Sequence, residues 1–172
     1  MKKLTSVFLS SILRKKIYDE FDESIGKLWD IYVTTEERYP RVIGYQVKRD
    51  GEVFNCEFRH IDFYEEPNGK VKIKVKSVKD IIPRTYSYLL SKNLLDKQIV
   101  DVNGKKVVRV NDLRLVEITA ELRVVAVDTG VFALGRRFGI EGFVKSFYKA
   151  FKRKPSDCMI MWDDVESLEM VN

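Results

Sequence analysis

The chain has 172 residues, 45% of them hydrophobic and 33% charged. That length holds one medium domain or two small ones, and that composition excludes a disordered chain. The formal charge of +5 is too small by itself to mark a nucleic-acid binder. Two cysteines, Cys56 and Cys158, form no CxxC pair, and His60 is the sole histidine. A zinc site would need all three to converge with a carboxylate. Reduced, buried thiols in a cytoplasmic protein are the expectation instead.

In chain order, Lys2 and Lys3 precede an apolar run from Leu4 to Leu13 that superficially resembles a signal peptide. It contains Thr5, Ser6, Ser10 and Ser11, and a similar run recurs in mid-chain at Leu89 to Leu95. The run is therefore expected to belong to the fold. No stretch approaches the roughly 20 apolar residues of a membrane span. A short strand is predicted over Ile17 to Glu20, a turn at Asp22-Glu23-Ser24, and a long strand from Ile25 to Thr35. Val42 to Lys48 follows, ending in the Arg49-Asp50-Gly51 turn. Phe54, Cys56 and Phe58 alternate with polar neighbours. Val71, Ile73 and Val75 alternate with lysines, which reads as a guarded edge strand.

The pattern then repeats. At an offset of 82, the distance from Ile17 to Ile99, Asp19 meets Asp101, Asp30 meets Asp112, and Arg41-Val42 meets Arg123-Val124. Like-for-like apolar pairs fill the intervals: Leu28 with Val110, Ile31 with Leu113, Val33 with Leu115. The turn of the first copy has Asn103-Gly104 as its counterpart, a strong hairpin signal. Towards the end of each copy the register resumes at 104, with Phe58 facing Trp162. The difference implies an insertion in the second copy. Repetition on this scale, in short strands, predicts a mainly β fold of two small, partly closed barrels. The units span 1–80 and 88–172, with a linker at 81–87 around Pro83 and an insertion at about 134–156.

The run from Ile25 through Gly26, Trp29 and Asp30 to Val33 resembles the opening hairpin of PRC-barrel domains, named after the photosynthetic reaction-centre H subunit and found also in the ribosome maturation factor RimM. Trp162 to Leu168 is similar to the closing strand of that family, although Val108 stands where the first copy has Gly26. The resemblance implies two tandem PRC-like β-barrels. A pair of this kind, with a basic helical insertion in copy two, is similar to the N-terminal region of bacterial proteins that carry MgtE-like and CBS modules. That likeness implies a regulatory or adaptor role linked to magnesium transport.

The insertion is the main candidate site. From Leu134 to Ser156 there are seven basic residues and one acid, Glu141. Ile140, Phe143, Val144, Phe147 and Phe151 recur at helical spacing. Arg136, Arg137, Lys145, Lys149, Lys152 and Arg153 would bind a partner, with the last four projecting from that stripe. A protein partner is expected; a membrane surface or RNA is a further reading of the same basic face. Asp30 and Asp112 lie inside apolar strands and are expected to accept hydrogen bonds from turns or an arginine rather than to hold a metal. Asp163, Asp164, Glu166 and Glu169 are read as surface acids. No nucleophile elbow or phosphate loop accompanies His60 or the serines. The expectation is a non-enzymatic, cytoplasmic binding module, without cofactor, metal or small-molecule substrate, with a place at the membrane periphery as a further reading. The alternative is an RNA- or ribosome-associated factor similar to RimM.

Overall fold

A computed structural model describes residues 1–34, 37–80, 88–130 and 159–167. The first half contains β1 (Lys2–Leu4), β2 (Ser6–Phe8), the single helical turn α1 (Leu9–Ile12), β3 (Lys16–Tyr18), β4 (Ser24–Thr34), β5 (Arg41–Arg49), β6 (Glu52–Glu57), β7 (Ile61–Glu65) and β8 (Val71–Val75). The second contains β9 (Tyr88–Leu89), a π-helical turn (Leu90–Leu94), β10 (Gln98–Asp101), β11 (Lys106–Arg109), β12 (Asp112–Ile118), β13 (Glu121–Asp128), β14 (Met159–Met161), a 3-10 turn (Trp162–Asp164) and β15 (Val165–Ser167). The fold is mainly β, as expected.

Among the described residues, twelve strands form one nearly closed, barrel-shaped sheet in the order β1-β7-β8-β3-β4-β5-β13-β12-β2, with β6, β9 and β14 on its branches. The remaining strands, β11-β10-β15, form a separate three-stranded sheet. Among the described residues a second barrel, closed on its own strands, is not evident. The expected linker at 81–87 and the helical insertion at about 134–156 lie outside the described residues.

Local pairing nevertheless follows the predicted offset closely. In the first hairpin Asp30 faces Gln46, Ile31 faces Tyr45, Tyr32 faces Gly44, and after a bulge Val33 faces Val42. In the second, Asp112 faces Asp128, Leu113 faces Val127, Arg114 faces Ala126, and after a bulge Leu115 faces Val124. Each residue lies 82 positions after its counterpart. The apolar pairs matched in sequence, such as Ile17 with Ile99 and Leu28 with Val110, are all buried in one shared core. The later offset holds too: Tyr45 pairs with Cys56, and Val127 with Ile160.

The halves also exchange strands. β2 pairs with β12, placing Phe8 opposite Arg114, and β9 pairs with β4, placing Leu89 opposite Tyr32. Here the offset is 81 rather than 82. The turns explain the slip. Leu13 donates its amide to Leu9 in an α-turn, whereas Leu95 donates to Leu90 in a π-turn one residue longer. A π-bulge absorbs a single inserted residue without disturbing its flanks. Arg41 and Arg123, which are counterparts, pair with each other where β5 meets β13. A residue facing its own counterpart marks a local two-fold axis.

One expectation is corrected. β8 is no edge strand: it lies between β7 and β3. Its lysines guard no edge. Lys72 and Lys74 reach Asp22 at 3.9 and 3.1 Å, and Lys72 also sits over the Tyr18 ring.

Candidate functional site

The two strand aspartates are structural and reciprocal. Asp30 accepts the amides of Ser91 (2.7 Å) and Lys92 (3.0 Å) in the turn of the other half, as well as Ile31 (2.8 Å). Asp112 accepts the amide (3.0 Å) and hydroxyl (2.5 Å) of Ser10, and the amide of Leu113 (2.9 Å). Each half thus supplies the acid that satisfies the free N–H groups at the start of the other half's turn. Burial pushes the Asp30 carboxyl above its ordinary range, against the lowering pull of those amides and of Arg14.

Asp163, read as a surface acid, accepts two hydrogen bonds from Arg38 (2.9 and 3.0 Å) and one from the Tyr39 hydroxyl (2.7 Å). Those bonds hold its carboxyl below the usual range. Glu169 and Cys158 lie outside the described residues. Cys56 is a buried thiol, pushed up chiefly by desolvation. His60 packs its Nε2 2.8 Å from Asp62, and Lys3 reaches the same carboxylate at 3.4 Å. Partial burial acts to raise the Asp62 carboxyl, but His60 and Lys3 outweigh it and hold it low. His60 and Asp62 line a narrow cavity of about 30 Å³ that Glu117 also lines. That volume has room for about one water and none for a substrate. Among the described residues no group of three or more His, Cys, Asp or Glu could hold a metal ion. No helix there is long and apolar enough to cross a membrane.

The basic residues singled out in the insertion, Arg136, Arg137, Lys145, Lys149, Lys152 and Arg153, lie outside the described residues. A different basic face is assembled by the first half. Lys16 stands opposite Lys27 across β3 and β4, and Lys27 opposite Lys48 across β4 and β5. Trp29 is the extra residue of a β-bulge beside this row, since Leu28 faces Val47 and Asp30 faces Gln46. The Arg14 guanidinium lies 3.5 Å over the indole and the Lys48 ammonium 4.1 Å from its centre. Arg14 also donates to the Trp29 carbonyl. Its left-handed backbone, φ 66°, follows directly on the α1 turn and turns the chain outward. Two open clefts, of about 420 and 400 Å³, share Trp29 as a wall. Sequence reading missed this face. Its residues are scattered from 14 to 49, and only the strand register aligns them.

Comparison with known proteins agrees with the hairpin resemblance in the first half. Residues 4–82 match the model of the PRC-barrel domain family, so the chain carries a PRC-barrel domain there. No curated protein and no solved structure matches the chain.

Proposed function

We propose that this chain is a non-enzymatic protein-binding module of two PRC-like halves, acting as an adaptor or regulator. The observation that carries the reading is the reciprocal capping by Asp30 and Asp112. The acids buried in the strands serve to join the halves, which makes a rigid body with its outer faces free to meet a partner. The repeated hairpin register supports the two-copy part of the reading. The resemblance to barrel pairs that precede MgtE-like and CBS modules supports the regulatory part, including a partner concerned with magnesium transport. Purification of the tagged full chain from its native cell, with mass spectrometry of what is retained, should return a defined protein partner in constant proportion. A substrate screen giving turnover that tracks the pure protein, and that one pocket substitution abolishes, would sink the non-enzymatic reading.

A further inference from the structure

The lysine row is an anomaly for a scaffold. Adjacent strands lie roughly 4.8 Å apart, and like charges directly opposite each other destabilise a sheet. Lys16 and Lys27 are exposed and Lys48 is half-buried. Among the described residues none of the three is in an ion pair, whereas Lys72, Lys74 and Lys3 on the same sheet all are. Arg49 adds a further charge at the cleft beside the row, where Asp50 is the acid present.

The second half is an internal control. In the matching positions it has Asp96 for Arg14, Gln98 for Lys16, Arg109 for Lys27 and Asn111 for Trp29. Gln98 pairs with Arg109 in the same register in which Lys16 pairs with Lys27. Asp96 keeps the same left-handed backbone, φ 67°, and neutralises Arg109 at 3.2 Å. Of the positions compared, the second half therefore keeps one cation, which an acid neutralises, and forms without the other cations and without the indole. An unneutralised row beside an indole, present in the first half only, points to a ligand.

We propose that this face binds single-stranded nucleic acid, with phosphates lying across Lys16, Lys27 and Lys48 and a base packed on the Arg14–Trp29 stack. An acidic peptide would neutralise the lysines equally well. It would leave unused the guanidinium plane held against an indole, which is a surface that bases take. The site goes beyond the adaptor reading and does not involve the insertion at 134–156.

The test is fluorescence anisotropy of a labelled oligouridylate of about 12 nucleotides with the full chain, from about 50 to 200 mM salt. Engagement of about four phosphates gives a slope of log affinity against log salt of about −3. Lys27→Glu should weaken binding at least about tenfold at low salt and flatten the slope by about 0.7 for each phosphate that the variant no longer engages. It should leave the melting temperature unchanged or raised, because it relieves two like-charge pairs. Lys16→Gln, which installs the second half's residue, gives a milder loss in the same direction and covers failure of the first variant to fold. Trp29→Asn should cost about tenfold in affinity with the slope kept. The proposal is overturned if the oligonucleotide does not bind, or if both lysine variants bind like the parent. It is equally overturned if affinity is lost instead on charge reversal at Lys145, Lys149, Lys152 and Arg153, or if polyglutamate or phosphatidylserine vesicles compete as well as unlabelled oligonucleotide.

Discussion

The two halves share a hydrogen-bonded frame and differ in what they hang on it. In both, a strand aspartate faces the other half, and a left-handed residue leaves the helical turn. Asp19 caps the amides of Phe21 and Glu23, as Asp101 caps Asn103 and Gly104. These are the features that determine chain direction, and both halves keep them. The outer side chains diverge freely: Trp29 against Asn111, Lys27 against Arg109, Arg14 against Asp96. The strand that lies beside β3 or β10 diverges as well. In the first half β8 lies parallel beside β3, while in the second β15 lies antiparallel beside β10. The two halves thus share a local frame and carry unlike surfaces.

The sharpest way to break this comparison is to remove the shared acids one at a time. Asp112→Ala leaves the Ser10 hydroxyl and two amides without their acceptor at a fully buried position. It should cost about 3 kcal/mol in urea unfolding. Asp30→Ala should cost nearly as much, since three amides lose the same partner. An unaltered midpoint for either variant would show that the halves are not held by reciprocal caps.

Next in size is exchange at Gly26, a glycine that the second half replaces with Val108. Gly26 has φ 133°, and a Cβ there would meet Val47 Cγ1 at 2.6 Å and the Lys48 carbonyl at 2.7 Å. Val108 is tolerated because, among the described residues, β11 is paired only with β10. Gly26→Val should therefore destabilise by about 3 kcal/mol, and Val108→Gly by only about 1 kcal/mol. Equal effects in calorimetry would mean that the close approach of β4 to β5 is not what distinguishes the halves.

Smaller still is the effect of surface charge on stability, and here the halves should respond with opposite signs. Lys27→Glu should raise stability by about 0.5 kcal/mol, because both of its cross-strand neighbours are lysines. Arg109→Glu should lower it, because it sets an acid against Asp96. Thermal melts at low salt resolve the two. The same sign for both would remove the argument that the first half's lysine row is unneutralised.

Much of the frame was legible in the sequence because buried apolar positions carry a period that survives substitution. Ile31 and Leu113, or Val33 and Leu115, are interchangeable in a core but not on a surface. The structural role of Asp30 and Asp112 was legible for the converse reason, since a carboxylate inside an apolar strand demands donors. The strand exchange was not legible. Pairing of Phe8 with Arg114 is long-range and no local pattern encodes it, and the extra residue of the π-turn hides the slip from 82 to 81. The lysines of β8 mimic edge guards because alternation shows which residues face out, not which strands lie alongside. The Trp29 face escaped for the same reason: three lysines at 16, 27 and 48 become neighbours only when three strands are in register. Charge counted along the chain draws attention to 134–156, while pairing gathers charge across it.

The last and smallest effect concerns the junction where counterparts meet. Arg41 and Arg123 face each other there as like charges, and Glu37 bridges them, with one oxygen 3.1 Å from Arg41 and the other 2.5 Å from Arg123. The second half supplies no equivalent acid, because Thr119 occupies the matching position. Glu121, which also bonds Arg123, corresponds instead to Tyr39. The Arg123 hydrogen bond first, and that of Arg41 second, hold the Glu37 carboxyl below its ordinary range. A depressed carboxyl contributes stability that is present above the unfolded-state pKa and is lost as pH falls through the folded one. Acidification below the usual glutamate range should therefore release the two arginines to repel each other across the junction. Glu37→Gln should lower the melting temperature slightly at neutral pH, and it should shrink the further drop on going to acid, because one of the carboxylates responsible is already gone. Asp30 pulls the other way. Its raised carboxyl contributes stability that is present below the unfolded-state pKa and fades as pH rises through the folded one. Melts of the parent and of Glu37→Gln, taken in steps from neutral pH down through the carboxylate range, should converge at the acid end. Parallel curves would mean that Glu37 does no more than decorate the surface, and that the junction is held by backbone pairing alone.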